Sequence, residues 1–117
     1  MSTFCENTSF VDRKKQSEEI LKRYPNRVPI IVELSKHDHS LKPIDRTKYL
    51  VPIDLKLSNF LLLIRKRIEL DNTKALYLFF NDKLVAGTSH TMGSLYTTHS
   101  NEDGFLYCIY AGESTFG

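Results

Sequence analysis

A chain of 117 residues, 41% hydrophobic and 26% charged, has the size and balance of one globular domain that can bury a single core without disulfide staples. Its net charge of +2 is too small to argue for nucleic acid, and Cys5 and Cys108 form neither a disulfide framework nor a C-x-x-C motif. No apolar run approaches the ~18 residues of a membrane span and no signal-peptide core opens the chain, so it reads as cytoplasmic and reduced, with any membrane contact supplied by an added anchor.

Thr3 to Asn7 reads as a short helical turn. Ser9 followed by Asp12 marks a helix start, with a hydroxyl placed to cap and a carboxylate to meet the helix dipole. Ile20, Leu21 and Tyr24 share one face of that helix, Arg13-Lys14-Lys15 and Lys22-Arg23 supply basic clusters, and Pro25 stops it. Val28-Pro29-Ile30-Ile31-Val32-Glu33 is a β-branched strand, Ser35 to Pro43 a polar connection, and 46–52 a second strand. Leu57, Phe60, Leu61, Ile64 and Ile68 recur at helical spacing and predict an amphipathic helix from Leu57 to Glu69. Lys56 stands at its N-cap, where a cation opposes the dipole.

Ala75 to Phe80 is apolar on both faces and reads as a central strand. Asn81-Asp82-Lys83 turns the chain, Leu84-Val85 forms a small strand, and Thr91 caps a short helix through Tyr96. Phe105 to Tyr110 closes the order as a strand, with Cys108 as a small core hydrophobe. This order predicts an α+β fold, a ubiquitin-like β-grasp whose mixed sheet carries one helix layer. The single domain divides into an N-terminal helical extension over 1–26 covering the open sheet face, a β-grasp core over 27–110 and a flexible tail over 111–117.

Asp45-Arg46-Thr47-Lys48-Tyr49-Leu50-Val51-Pro52 is the stretch around which the rest is organised. Pro52 cannot donate a ladder hydrogen bond, which marks an edge or a strand end. Alternation sends Lys48 and Leu50 to one face and Tyr49 and Val51 to the other. An edge with spare backbone groups and an apolar residue on each face is equipped to accept a peptide as an extra strand.

The chain resembles the ubiquitin-like modifiers of autophagy, the family of the GABA-receptor-associated protein and the microtubule-associated light-chain-three proteins. The resemblance is carried by Tyr24-Pro25-Asn26-Arg27-Val28-Pro29-Ile30-Ile31-Val32-Glu33, the 45–52 stretch, Ile64-Arg65-Lys66-Arg67-Ile68, Met92-Gly93-Ser94-Leu95-Tyr96, Glu102-Asp103-Gly104-Phe105-Leu106-Tyr107 and Thr115-Phe116-Gly117. It implies two pockets. The first takes Ile20, Pro29, Ile31, Lys48, Leu50 and Phe105; the second takes Tyr49, Val51, Pro52, Leu55, Phe60 and Leu63. A cargo receptor or adaptor carrying an aromatic-x-x-aliphatic motif would place its aromatic in the first pocket and its aliphatic in the second. Arg27, Arg46 and Arg67, with Lys48, would meet acidic residues flanking the motif.

The resemblance also implies that Gly117 is conjugated to phosphatidylethanolamine by activating and conjugating enzymes, that a delipidating cysteine protease reverses this, and that the product sits on autophagosome membranes. The chain departs from the family pattern in places: Gln16 replaces an acidic residue beside the first pocket, Val11-Asp12 replaces a more polar helix start, and Lys56 replaces a capping residue.

An enzyme reading is poor. His37-x-His39 beside Asp38 lacks the further ligands of a metal site, neither cysteine has an activating base, and no cofactor is implied. A nucleic-acid module is poorly supported because the aromatics fall mostly in core strands. The remaining alternative is an unconjugated trafficking or microtubule adaptor that uses the same pockets, with its basic N-terminal helix on acidic tubulin.

Overall fold

The computed structural model describes residues 2–113 apart from 86 and 88. Its elements are α1 (Thr3–Asn7), α2 (Phe10–Arg23), β1 (Arg27–Leu34), β2 (Lys48–Pro52), α3 (Leu57–Arg67), β3 (Tyr77–Phe80), β4 (Lys83–Leu84), α4 (Met92–His99) and β5 (Leu106–Ala111). The sheet order is β2-β1-β5-β3-β4, with β1 and β5 parallel and the other pairs antiparallel. A β1–β2 hairpin, a helix crossing one face and two further strands make this a ubiquitin-like β-grasp, with α1 and α2 added in front.

Local chemistry accounts for most of the boundaries. The Ser2 and Ser9 hydroxyls accept from the Cys5 and Asp12 amides and start α1 and α2. Thr91 caps α4 in the same way through the Ser94 amide. Lys56 makes no side-chain cap at α3; the Leu57 amide instead donates to the His90 carbonyl at 2.8 Å. A neighbouring loop thus satisfies a group left open by the sequence.

The structure differs from the sequence reading at several elements, the small strand among them, which is Lys83–Leu84 rather than Leu84-Val85. The central strand is β5; β3 is a four-residue strand flanked on its outer side only by β4. The apolar run at 75–80 reflects packing of Leu76, Leu78 and Phe80 into the core, while Tyr77 and Phe79 are half-buried. The long helix ends at Arg67, because Glu69 takes a positive φ of 56° that breaks the helix. β2 begins at Lys48, and α4 continues to His99.

Strand parity divides the interior in two. Val28, Ile30 and Val32 of β1 share a face with Leu106, Cys108 and Tyr110 of β5, and this face packs on Leu57, Phe60 and Ile64 of α3 and Met92 and Leu95 of α4. Ile31 and Phe105 belong to the opposite face, each 1% exposed, under the N-terminal helices. Phe4 of α1 sets its ring edge-on to Phe105, with centroids 5.3 Å apart.

A buried polar knot ties those helices down. Asp103, completely buried, accepts from Arg13 Nε at 2.9 Å, from the Phe105 amide at 2.9 Å and from the Tyr107 hydroxyl. Ser17 donates to the Asp103 carbonyl, and Cys5 Sγ lies 3.2 Å from the Tyr107 hydroxyl. Helix α2 is therefore held by polar bonds to the turn before β5, and α1 by a contact to Tyr107 of β5, as well as by apolar packing.

Candidate functional site: an open sheet edge flanked by apolar hollows

β2 lies at the sheet edge, and its pairing determines which backbone groups remain open. The Val32 amide donates to the Thr47 carbonyl at 2.7 Å and the Ile53 amide to the Asn26 carbonyl at 3.1 Å. With Ile30 opposite Tyr49 and Val28 opposite Val51, antiparallel alternation directs Tyr49 and Val51 backbone groups at β1. Lys48 and Leu50 consequently turn their N–H and C=O outward. Pro52, which has no N–H, limits the edge at its far end.

Along this edge runs a hollow of about 360 Å³ lined by Ile20, Pro29, Lys48, Leu50 and Phe105, with Tyr49, Val51, Leu63, Arg46 and Arg67. Most residues of the two expected pockets thus meet in one continuous groove. Register places Pro29 opposite Leu50 and Ile31 opposite Lys48, so these four share the face toward α1 and α2. Ile31 is buried beneath that face and does not reach the groove wall.

On the other face Tyr49 packs its ring edge-on to Phe60, with centroids 6.3 Å apart. Phe60 is fully buried and acts as the floor under Tyr49. Leu55 is half-buried against the core and Pro52 is exposed; neither lines the groove. Pro52 also shares strand parity with Leu50 rather than with Tyr49, which places it across from Arg27. Arg27 is exposed at the start of β1 and is not part of the groove, whereas Arg46 and Arg67 are. Arg67 pairs loosely with Asp45 at 3.5 Å.

On the face toward α1 and α2, Lys48 is held without a carboxylate. Its Nζ donates to Gln16 Oε1 at 3.0 Å and lies 5.0 Å from the centroid of the Phe4 ring. Phe4 backs two residues of the groove, Lys48 and Phe105, a role that the sequence reading passed over. An isolated aromatic within a polar N-terminal turn was the available signal. On the face toward α3 the Tyr49 hydroxyl is buried and has no hydrogen-bond partner among the described residues. Burial pushes its ionisation upward, with Arg67 opposing the shift.

Gly117 lies outside the described residues. The chain leading toward it leaves β5 at Ala111, and the Gly112 amide donates to the buried Asp38 carboxylate at 2.7 Å. No group of three or more metal-ligating side chains occurs among the described residues, and no helix among them is long and apolar enough to cross a membrane.

A β-grasp domain with an extra helical layer packed on its sheet defines a ubiquitin-like protein. The family described as "Autophagy protein Atg8 ubiquitin like" matches residues 12–117. Autophagy-related protein 8 of Schizosaccharomyces pombe is 44% identical over 117 residues, covering 99% of this chain and 94% of the relative. The protein of that name from Saccharomyces cerevisiae is 45% identical over 116 residues, covering 99% and 97%. A crystal structure of Trypanosoma brucei ATG8 superposes with a TM-score of 0.90 at 36% identity, covering 100% of this chain and 99% of that one. The chain belongs to the Atg8 family of ubiquitin-like autophagy proteins.

Proposed function

We propose that this protein is a modifier conjugated through Gly117 to phosphatidylethanolamine, and that on autophagosomal membranes it docks cargo receptors along β2. The observation that carries the docking half is the open edge: outward N–H and C=O groups at Lys48 and Leu50, beside a groove with apolar residues on both faces. An added strand would gain register from those groups, and its aromatic and aliphatic anchors would each contribute about 1.5–3 kcal/mol on burial. Ordering the peptide offsets much of that gain, so single contacts are weak and many copies on one membrane give avidity. Lys48, Arg46 and Arg67 favour acidic residues around the motif.

Family membership supports the conjugating half. Gly117 is the substrate group in this chemistry, and the protein itself supplies no catalysis. The Gly117 carboxylate attacks ATP and releases pyrophosphate, leaving an acyl adenylate on the activating enzyme. A cysteine thiolate of that enzyme displaces AMP to form a thioester, which passes to a cysteine of the conjugating enzyme. The amine of phosphatidylethanolamine then attacks the thioester carbonyl, forming an amide and releasing the thiol. A glycine at the reacting position offers no side chain to obstruct the narrow site.

The test incubates wild type and Gly117→Ala with matching activating and conjugating enzymes, ATP and phosphatidylethanolamine liposomes, followed by mass spectrometry. A mass gain of one lipid is expected in wild type and none in the variant. No gain in wild type, with enzymes that conjugate an established relative, would leave the unconjugated adaptor.

A further inference from the structure

We infer that Asp38 is a positioning residue for the C-terminal tail: from the loop joining β1 to β2 its carboxylate grips the Gly112 N–H and sets the direction in which the following residues leave. The inference rests on the modifier reading, because the tail matters only if its glycine is used.

The two carboxylate oxygens divide their work. Oδ1 accepts from the Ser40 amide at 2.8 Å, the Ser40 hydroxyl at 3.0 Å and the Leu41 amide at 2.9 Å, which shapes the loop. Oδ2 accepts from the Gly112 amide at 2.7 Å, 74 positions away in the chain. Shaping a turn does not require burial. Asp71 performs that task for Thr73 through an amide at 2.9 Å and a hydroxyl at 3.0 Å while exposed. Asp38 is only 5% exposed. Burying a carboxylate is costly, and Asp38 makes a long-range bond to the Gly112 amide of a kind that the turn-shaping bonds of Asp71 do not include.

The loop that carries Asp38 is fastened to β5 at both ends. The Ser35 amide donates to the Tyr110 carbonyl at 2.9 Å, and the Tyr110 hydroxyl donates to the Lys42 carbonyl at 2.7 Å. Gly112 fits closely beneath it: a Cβ there would lie 3.2 Å from Leu41 Cγ and 3.4 Å from Asp38 Oδ2. Glycine lets the backbone come near enough for the grip. Five residues separate Gly112 from the reacting carboxylate, a span of at most about 17 Å when extended. Over so short a reach, the heading at Gly112 governs how often the carboxylate enters the active site of a docked enzyme.

Asp38→Asn separates tail positioning from loop shaping. Its amide oxygen can keep the three donors of Ser40 and Leu41 while its NH2 faces the Gly112 N–H, where no hydrogen bond forms. The experiment compares wild type, Asp38→Asn, Asp38→Ala and Gly112→Pro, which removes the same bond from the other side. It measures steady-state thioester formation on the activating enzyme, amide exchange at Gly112 where that amide remains, and affinity for an aromatic-x-x-aliphatic peptide. Both Asp38 variants should speed Gly112 exchange at least about tenfold and lower kcat about three- to tenfold, with KM and peptide affinity unchanged. Gly112→Pro should lose at least as much kcat, since its ring also crowds Leu41, and a wild-type kcat in this variant would overturn the inference even if Asp38→Asn does not fold.

An Asp38→Asn protein with wild-type kcat would confine Asp38 to loop shaping and overturn the inference. So would a parallel loss of peptide affinity, which marks a general stabiliser. Failure of wild type itself to form thioester removes the modifier reading and this inference together, an outcome visible without any Asp38 variant.

Discussion

Asp103 shows how much one buried side chain organises. Its carboxylate is fully buried beside Arg13, whose side chain is only 13% exposed. Contact with Asp103 raises the Arg13 pKa further, and burial followed by the Asp103 hydrogen bond raises that of the Tyr107 hydroxyl. The next residue, Gly104, takes a φ of +89°, and a Cβ there would strike Ser17 Oγ, so glycine is required for the turn to meet α2. Replacing Asp103 with Ala leaves Arg13 and Tyr107 without their shared acceptor. Urea denaturation should report a loss of about 3–5 kcal/mol, with amide exchange rising first in α1 and α2. A loss under about 1 kcal/mol would show that apolar contact alone holds those helices. Asp103 was legible as part of a family motif, but its burial was not, since polar residues in a turn give no one-dimensional sign of facing inward.

At the scale of elements, α3 is the clearest case of a local rule overridden. Lys56 offers no cap and the wrong charge for a helix N-terminus, yet the helix begins where its apolar spacing predicts. Burial of Leu57, Phe60 and Ile64 and the bond from the Leu57 amide to His90 compensate. Lys56 already has φ −77° and ψ 147°, the extended conformation of an N-cap residue. Lys56→Asp should therefore stabilise the protein by about 1 kcal/mol, read as a higher thermal midpoint. An unchanged or lower midpoint would mean that the His90 loop already meets the needs of that terminus.

β2 represents the opposite case. Its terminal proline predicted an edge, which the sheet order bears out, and the register then decides which backbone groups face outward.

The whole molecule carries helices on both faces of the sheet, and β5 runs through the middle. That placement buries titratable groups in protonated form. Burial pushes Tyr110 up to about 12, and it raises Tyr107 and the Cys108 thiol further still. Their folded pKa values lie above the ordinary 10.0 for tyrosine and 9.0 for cysteine, so the unfolded chain loses these protons first. Stability from these groups is complete below pH 9 and is lost as pH climbs through 10 toward 12. Each such group adds a slope of up to about 1.4 kcal/mol per pH unit over its interval. Urea midpoints should be level near pH 8 and fall steeply by pH 11, with a shallower fall in Tyr110→Phe. A flat profile would show that these groups ionise freely in the folded state.

The amino-acid sequence alone determined element types, most of their starts, the β-grasp class and the family. Hydrophobic period, capping hydroxyls and prolines act over a few residues and are therefore visible in one dimension. Alternation likewise divides Lys48 and Leu50 from Tyr49 and Val51 on local geometry alone. Only the tertiary structure decided which strand is central, because an apolar run is compatible with several positions in a sheet. It also brought Phe4 onto Lys48 across 44 positions, closed Asp103 over Arg13, and laid the Asp38 loop on Gly112. Those contacts join polar or isolated residues far apart in the chain, where no periodic pattern marks a partner. Pro52, Leu55 and Arg27 stand outside the groove for the same reason: strand alternation says which face a residue shares, while packing says how near it comes.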